Sequence, residues 1–180
     1  MKQPSQVARL AGAGSGRRVR LTAGDWRQVR TIAATAHVRT AKRKALLFSG
    51  RHAAAAADVL AKRLGDEIFH VDLSAVVSQY IGETEKNLAQ AFSDAAANGA
   101  LLLFDEADAL FGKRTSVKDA HDRYANIEID YLLQRIEAHD GVVVLASGST
   151  LTLPIAMRRR VSRYEFPPRA GKSSRGKRRV

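Results

Sequence analysis

The stretch of residues 101–114, Leu-Leu-Leu-Phe-Asp-Glu-Ala-Asp-Ala-Leu-Phe-Gly-Lys-Arg, constrains the fold of this chain more than any other. Four consecutive apolar residues precede two adjacent carboxylates, Asp105 and Glu106, and Asp108 follows. A short apolar run bounded by polar residues is typical of a strand buried in a parallel sheet. Because open α/β sheets bind ligands at the carboxyl ends of their strands, the stretch predicts acidic residues at a ligand-binding edge.

Adjacent carboxylates at the end of a strand suit a hard cation and a general base, the Walker B arrangement of nucleotide hydrolases. The alternative interpretation is a buried strand followed by a charged turn. The apolar run with its Asp-Glu pair is short, so the rest of the chain has to distinguish the two interpretations.

Charge is distributed unevenly along the 180 residues, which carry a net charge of +12 and no cysteine. Residues 1–44 contain eleven basic residues and one acidic residue, and residues 157–180 contain ten and one. Residues 45–156 contain nine basic and sixteen acidic residues, so the middle is acidic and both ends are basic. Basic ends are typical of solvated tails, or of nonspecific contact with nucleic acid or acidic partners.

The composition also bounds the environment of the protein. No apolar run approaches the roughly 18 residues of a membrane span, and the N-terminus lacks the apolar core of a signal peptide. Without cysteine there is no disulfide framework and no thiolate metal site. The simplest expectation is a soluble, cytoplasmic protein without membrane contact.

Hydrophobic periodicity divides the chain into a basic flexible arm (1–24), a core domain (25–167) and a basic disordered tail (168–180). Within the core, predicted strands alternate with predicted helices. The strands are expected at 45–49, 67–72, 101–104, 142–146 and 164–166, and the helices at 26–38, 53–64, 83–97 and 122–138. Such alternation predicts right-handed crossovers and an α/β fold with a mainly parallel sheet of about five strands.

Several motifs in the same order give residues 25–167 a resemblance to the AAA ATPases, in the AAA+ branch of the P-loop NTPases. Besides 101–114, they are Leu-Ser-Ala-Val-Val-Ser-Gln-Tyr-Ile-Gly-Glu-Thr-Glu-Lys-Asn-Leu at 73–88, Asp-Ala-His-Asp-Arg-Tyr-Ala-Asn at 119–126 and Met-Arg-Arg-Arg at 157–160. The resemblance implies a three-layer αβα fold, the cofactors ATP and Mg²⁺, a homo- or hetero-oligomeric ring and a polypeptide client.

The resemblance also implies roles for individual side chains. Asp105 would help to hold Mg²⁺ through water, and Glu106 would orient and deprotonate the attacking water. Arg158 and Arg159 resemble arginine fingers that reach the γ-phosphate on a neighbouring subunit. A solvated basic surface is the alternative for these two arginines.

The segment 73–88 resembles the first pore loop of the family and the helix behind it. Tyr80, with Ile81 and Gly82, would project into a central pore and grip a polypeptide. The alternative is a tyrosine packed on the surface of its own loop.

The chain departs from the family pattern after the first strand, where a P-loop, Gly-x-x-x-x-Gly-Lys-Ser/Thr, should cradle phosphates. Gly50, Arg51, His52 and Ala53 stand there instead, about three residues short and without the second glycine, the lysine and the hydroxyl. Each lost charged contact is worth roughly 1.5–3 kcal/mol, so ATP binding is expected to be about a hundredfold weaker or more. A rescue by Arg51 or His52 at the helix N-terminus is the alternative.

Two other family features are altered. The fourth strand should end in a polar sensor, usually asparagine, but Gly148 stands there, and Ser147 or Ser149 are weak substitutes. The helical lid that follows the arginine fingers in the family is expected to be absent. Two functions therefore stay open: a polypeptide-remodelling ATPase with weakened or lost activity, and a non-catalytic pseudo-ATPase that acts as a binding or assembly subunit. Nonspecific nucleic-acid binding by the basic ends is a third hypothesis.

Overall fold

The computed structural model describes residues 21–36, 45–78, 80, 82–111 and 121–167. Five strands and seven helices lie in these ranges: α1 (Ala23–Ala36), β1 (Ala45–Ser49), α2 (Ala53–Leu64), β2 (Ile68–Asp72), α3 (Leu73–Val76), α4 (Glu83–Ala97), β3 (Leu101–Asp105), α5 (Asp108–Phe111), α6 (His121–Ala138), β4 (Val143–Ser147), α7 (Ile155–Arg158) and β5 (Val161–Glu165). No helix among the described residues is long and apolar enough to cross a bilayer.

The strands form one parallel sheet in the order β2-β3-β4-β1-β5. This confirms the α/β fold with a parallel sheet that the alternation of strands and helices predicts. Two boundaries differ from the prediction by three residues: α1 begins at Ala23 rather than Trp26, and β5 begins at Val161 rather than Tyr164. Nearly all of the predicted basic arm, and the whole predicted tail, lie outside the described residues.

Both faces of the sheet are covered by helices, which explains why β3 is apolar without alternation. Leu102 and Phe104 belong to a core cluster that also contains buried side chains of α4 and α6. Leu101 and Leu103 belong to a second cluster, on the opposite face, with side chains of α1 and α2. Each of these residues is at most 1% exposed, and burial of one such side chain contributes roughly 1.5–3 kcal/mol.

The N-terminus of α1 is closed by a reciprocal pair of hydrogen bonds. The Asp25 N–H donates to Thr22 Oγ1 at 3.1 Å, and the Thr22 N–H donates to Asp25 Oδ2 at 2.8 Å. This is a capping-box arrangement with aspartate in place of the usual glutamate. Asp25 is only 3% exposed, so its carboxylate faces the interior.

Candidate functional site

The carboxyl edge of the sheet brings together the acidic residues that follow β2 and β3. Asp72 and Asp105 are directly paired in the register of these two neighbouring strands. Asp105 is partly exposed at the tip of β3, and Glu106 is exposed beside it. The structure therefore places the predicted Asp-Glu pair at the edge where open α/β sheets bind ligands.

Glu106 has a left-handed backbone, which is rare for a residue with a long side chain. Its φ is +52°, and it is the only non-glycine residue with positive φ in the described part of the chain. Partial burial, with the nearby carboxylates of Asp105, Asp108 and Asp72, raises the pKa of Glu106 above its ordinary value. A strained carboxylate with a raised pKa is the state expected of a general base.

Asp105 lies next to a histidine that the sequence does not predict as its partner. His70, on β2, places its Nε2 atom 3.3 Å from Asp105 Oδ2, within ion-pair distance but without hydrogen-bond alignment. The contact with Asp105 raises the pKa of the imidazole, against the lowering effect of burial, and Asp58 and Asp72 act in the same direction as Asp105. The sequence alone does not reveal this contact, because one histidine on a strand carries no signal of the carboxylate on the next strand.

The end of β4 contacts the acidic segment through Ser147, which is 1% exposed. The Ser147 hydroxyl donates a hydrogen bond of 3.0 Å to Asp108 Oδ1 and accepts one of 3.2 Å from the Ser149 N–H. Of the two serines that the sequence offers at the sensor position, Ser147 is therefore the one that joins β4 to the segment after β3. Gly148 is exposed, and a Cβ atom added there would have no heavy atom within 4 Å.

The turn between β1 and α2, where a P-loop would lie, is closed by backbone contacts. The Gly50 N–H donates to the Ser147 carbonyl at 2.9 Å, and the His52 N–H donates to the Phe166 carbonyl at 3.3 Å. The Ala53 N–H donates to the Gly50 carbonyl at 2.9 Å. Three backbone donors that could face an anion at the start of α2 are thus bonded within the protein.

Gly50 is the residue on which this closure depends. Its φ is +101°, and a Cβ atom there would lie 2.5 Å from the carbonyl oxygen of Phe166. The Phe166 N–H in turn donates to the Ser49 carbonyl at 2.7 Å. The segment after β5 is therefore held directly against the turn.

A buried pair of side chains closes the same turn from the opposite direction. His52 Nδ1 lies 3.1 Å from Asp25 Oδ2, and the two residues are 8% and 3% exposed. His52 is the N-cap residue of α2, so the carboxylate of Asp25 reaches the start of α2 through this ring. The sequence gives no sign of this pair, because 27 residues separate its members.

The turn lacks the lysine of a P-loop, and three of its backbone N–H groups are not free for the phosphates of ATP. A triphosphate at a P-loop needs free backbone N–H groups and a lysine, whereas here the backbone donors of Gly50, His52 and Ala53 are occupied. A buried carboxylate also stands at the start of α2, where anions would otherwise be favoured. Asp105 retains the oxygen ligand that Mg²⁺ prefers, but one of its oxygens faces His70.

The predicted arginine fingers lie at the other edge of the sheet. Arg158 and Arg159 precede β5, and the neighbouring Arg160 carbonyl accepts a hydrogen bond from the first residue of β1, Ala45. Both predicted fingers are exposed, and Arg158 Nε donates to the Leu153 carbonyl at 2.9 Å. Because the strands are parallel, these arginines are at least a strand length, about 16 Å, from the carboxylates, and contact with a γ-phosphate would require a neighbouring subunit.

The predicted pore loop presents its tyrosine to solvent. Tyr80 is 64% exposed, while its backbone N–H donates to Ser78 Oγ at 3.1 Å. Ser78 Oγ also donates to Glu83 Oε2 at 2.7 Å, at the start of α4. Gly82 precedes α4 with φ of +81°, and Ile81 lies outside the described residues. Hydrogen bonds thus hold the backbone at Ser78 and Tyr80, while the aromatic ring of Tyr80 is exposed to solvent.

The sheet order and the Asp-Glu pair at the tip of β3 define an α/β core of the P-loop NTPase class. A family model described as "ATPase family associated with various cellular activities (AAA)" matches residues 49–169, well over half of the chain. The chain therefore belongs to the AAA family. Members of this family in general use ATP with Mg²⁺ and form oligomers.

Two curated relatives carry the same family name. The chain is 36% identical over 95 residues to the ATPase family gene 2 protein of Schizosaccharomyces pombe, a match that covers 52% of this chain and 12% of that protein. It is 41% identical over 54 residues to the AAA family ATPase y4kL of Sinorhizobium fredii, a match that covers 30% of this chain and 16% of that protein. The matched segments are thus a small part of each relative.

Proposed function

We propose that this chain is a AAA core domain that turns over ATP slowly or not at all and acts as a polypeptide-binding or assembly subunit of an oligomer. The turn after β1 carries the proposal: its N–H groups at Gly50, His52 and Ala53 are bonded to carbonyls of the protein itself. Phosphoryl transfer depends on positioning and charge stabilisation, so a domain that does not position the phosphates loses the first requirement for catalysis.

The residues that match the family's pore loop and arginine fingers are exposed, so they can contact a polypeptide or a neighbouring subunit. Tyr80 is exposed, and its backbone N–H is bonded to Ser78 Oγ. An exposed aromatic ring offers a polypeptide a large apolar contact area. Arg158 and Arg159 are exposed at the amino edge of the sheet, where they can serve a subunit interface.

The second candidate function is ATP hydrolysis, and one observation favours it. Asp105 and Glu106 match the positions that the resemblance assigns to the Mg²⁺ ligand and the base, and Ser147 lies next to Gly148 at the sensor position. Glu106 also has a raised pKa, which suits proton transfer. In that case this chain's residues would hold the ion at Asp105 and accept a proton at Glu106, with the phosphates held by groups other than the closed turn.

Titration with ATP and Mg²⁺ distinguishes the two functions. We expect the natural chain to bind with a Kd in the millimolar range or weaker and to show no turnover that depends on Glu106. Isothermal calorimetry would measure the affinity, and phosphate release by the natural chain and by Glu106→Gln would measure turnover. Micromolar binding together with turnover that Glu106→Gln abolishes would refute the proposal and establish the hydrolase.

Assembly and polypeptide binding are tested separately from nucleotide. We expect light scattering after size exclusion to show an oligomer whose size is the same with and without ATP. Binding of an unfolded polypeptide such as casein should weaken several-fold in Tyr80→Ala, while Trp26→Ala, which also truncates an exposed aromatic residue, leaves it unchanged. A monomer that binds no polypeptide would contradict the assembly role.

A further inference from the structure

We propose that Asp25 and His52 form an autoinhibitory contact that keeps phosphate groups away from the turn between β1 and α2. The inference rests on the proposed function, since it explains why this AAA core would bind nucleotide weakly. It adds a specific cause: an internal carboxylate, supplied by α1, in addition to the missing lysine. The pair is referred to below as the Asp25–His52 clasp.

The clasp is a buried, hydrogen-bonded contact rather than a chance approach of two surface groups. Asp25 Oδ2 accepts from the Thr22 backbone N–H at 2.8 Å and lies 3.1 Å from His52 Nδ1. Both residues of the pair are more than 90% buried. A buried carboxylate is stable only when it is hydrogen-bonded, so the ring and the N–H together hold the charge in place.

Apolar packing of α1 on α2 fixes the clasp. Val29 and Ile32 of α1 are buried in the same core cluster as Leu60 of α2. Trp26, the neighbour of Asp25, lies with its ring 5.7 Å from the guanidinium carbon of Arg63 on α2. The carboxylate therefore cannot leave the start of α2 unless α1 separates from α2.

Electrostatics gives the clasp its inhibitory effect. The N-terminus of a helix attracts anions because its first N–H groups and its dipole are positive. A carboxylate already placed there reduces that attraction and repels the several negative charges of a polyphosphate. Its burial makes the repulsion stronger, because salt screens buried charges less than exposed ones.

The test compares inorganic tripolyphosphate binding by the natural chain and by Asp25→Asn. The amide keeps an oxygen that can accept from the Thr22 N–H and removes the charge. Tripolyphosphate has no adenine, so the comparison reports on the phosphate position alone. Calorimetry gives the affinity, and the fluorescence of Trp26, the single tryptophan, shows whether α1 still packs on α2.

We expect Asp25→Asn to bind tripolyphosphate at least tenfold more tightly than the natural chain. Asp130→Asn, which removes an exposed carboxylate from α6, should bind as the natural chain does. Equal affinities for the natural chain and Asp25→Asn, with α1 still packed, would overturn the inference.

Hydrogen exchange on the natural chain provides a second measurement if Asp25→Asn does not fold. The peptide that covers residues 50–57 should exchange at the same rate with and without millimolar ATP·Mg²⁺, because the clasp leaves no phosphate there. Slower exchange of this peptide with nucleotide would overturn the inference. Turnover by the natural chain bears only on the proposed function, whereas the affinity ratio of the two variants bears only on the clasp.

Discussion

The tip of β3 and the turn after β1 lie at the same sheet edge but differ in how closely they follow the family pattern. At the tip of β3 the carboxylates of Asp105 and Glu106 stand at the edge as the family pattern predicts. Two strands away in the order β3-β4-β1, the turn after β1 is bonded to Ser147 and Phe166 instead of facing outward. The two carboxylates therefore lie at the same sheet edge as a turn whose N–H groups at Gly50, His52 and Ala53 are bonded within the protein.

The difference shows that the carboxylates and the phosphate loop of such a site are positioned by different interactions. The position of a carboxylate at a strand end follows from strand length and sheet register, which are fixed by the apolar core. A phosphate loop depends on backbone N–H groups that stay free, which is an energetically costly state once a carbonyl comes within reach. Shortening the loop allows the carbonyls of neighbouring segments to satisfy these groups.

Restoring the loop should produce the greatest change. Replacement of Arg51-His52 by a segment that ends in Gly-Thr-Gly-Lys-Thr should tighten ATP·Mg²⁺ binding at least about a hundredfold, because the lysine and hydroxyl contacts are regained. Calorimetric titration of both proteins checks this result. The same graft with alanine for its lysine should lose most of the gain, and unchanged affinity in the full graft would mean that the β3 side is also unable to hold the nucleotide.

Gly50→Ala tests how tightly the turn is closed. We expect a loss of about 2–3 kcal/mol in the free energy of unfolding, because the new Cβ meets the Phe166 carbonyl and the backbone is left-handed. Urea unfolding followed by circular dichroism measures it. Gly148→Ala, at the end of β4 with open space around it, is the matched control and should change stability by under about 0.5 kcal/mol. A similar small change in Gly50→Ala would show that the turn yields easily.

Glu106→Asn tests whether the left-handed backbone at Glu106 is strained, as it often is at functional sites. We expect about 1 kcal/mol of added stability, because asparagine tolerates positive φ better than glutamate and the amide carries no charge. Thermal unfolding at constant pH gives the value. Glu106→Gln separates the two causes, since it removes the charge among Asp105, Asp108 and Asp72 but keeps the longer side chain. No stabilisation in either variant would argue against stored strain.

The smallest expected effect is a pH dependence of the free energy of unfolding that comes from the His70–Asp105 pair. The pKa of His70 is raised in the folded state above its ordinary value of 6.5, so protonation favours folding. The contribution, on the order of 1 kcal/mol, should be complete below about pH 6.5 and be lost as the pH rises through the folded pKa. The groups that face His70 are Asp58 of α2, Asp72 of β2 and Asp105 of β3. Urea unfolding of the natural chain and of His70→Gln across this range measures the difference, and a difference that grows with pH would contradict the assignment.

Much of the fold was predictable because its signals are local. The apolar run before Asp105 predicts β3, and Gly65 correctly predicts where α2 ends, with φ of +79°. The start of β5 was placed three residues late, because Val161-Ser162-Arg163 is less apolar than the central strands and only its pairing with β1 makes it a strand. An edge strand is partly exposed, so its sequence carries a weaker pattern.

Short runs of consecutive residues are enough to establish a parallel α/β core, an Asp-Glu pair at the end of β3 and the lack of a P-loop lysine. What surrounds these features depends on tertiary packing. Asp25 meets His52 across 27 residues, His70 meets Asp105 across a strand pair, and the Phe166 carbonyl meets the His52 N–H across the turn. Such contacts join segments far apart in the chain, and a polar group takes its partner from whatever packing brings within reach. The Asp-Glu pair is therefore evident from consecutive residues, whereas the contacts around Gly50 follow only from the tertiary packing.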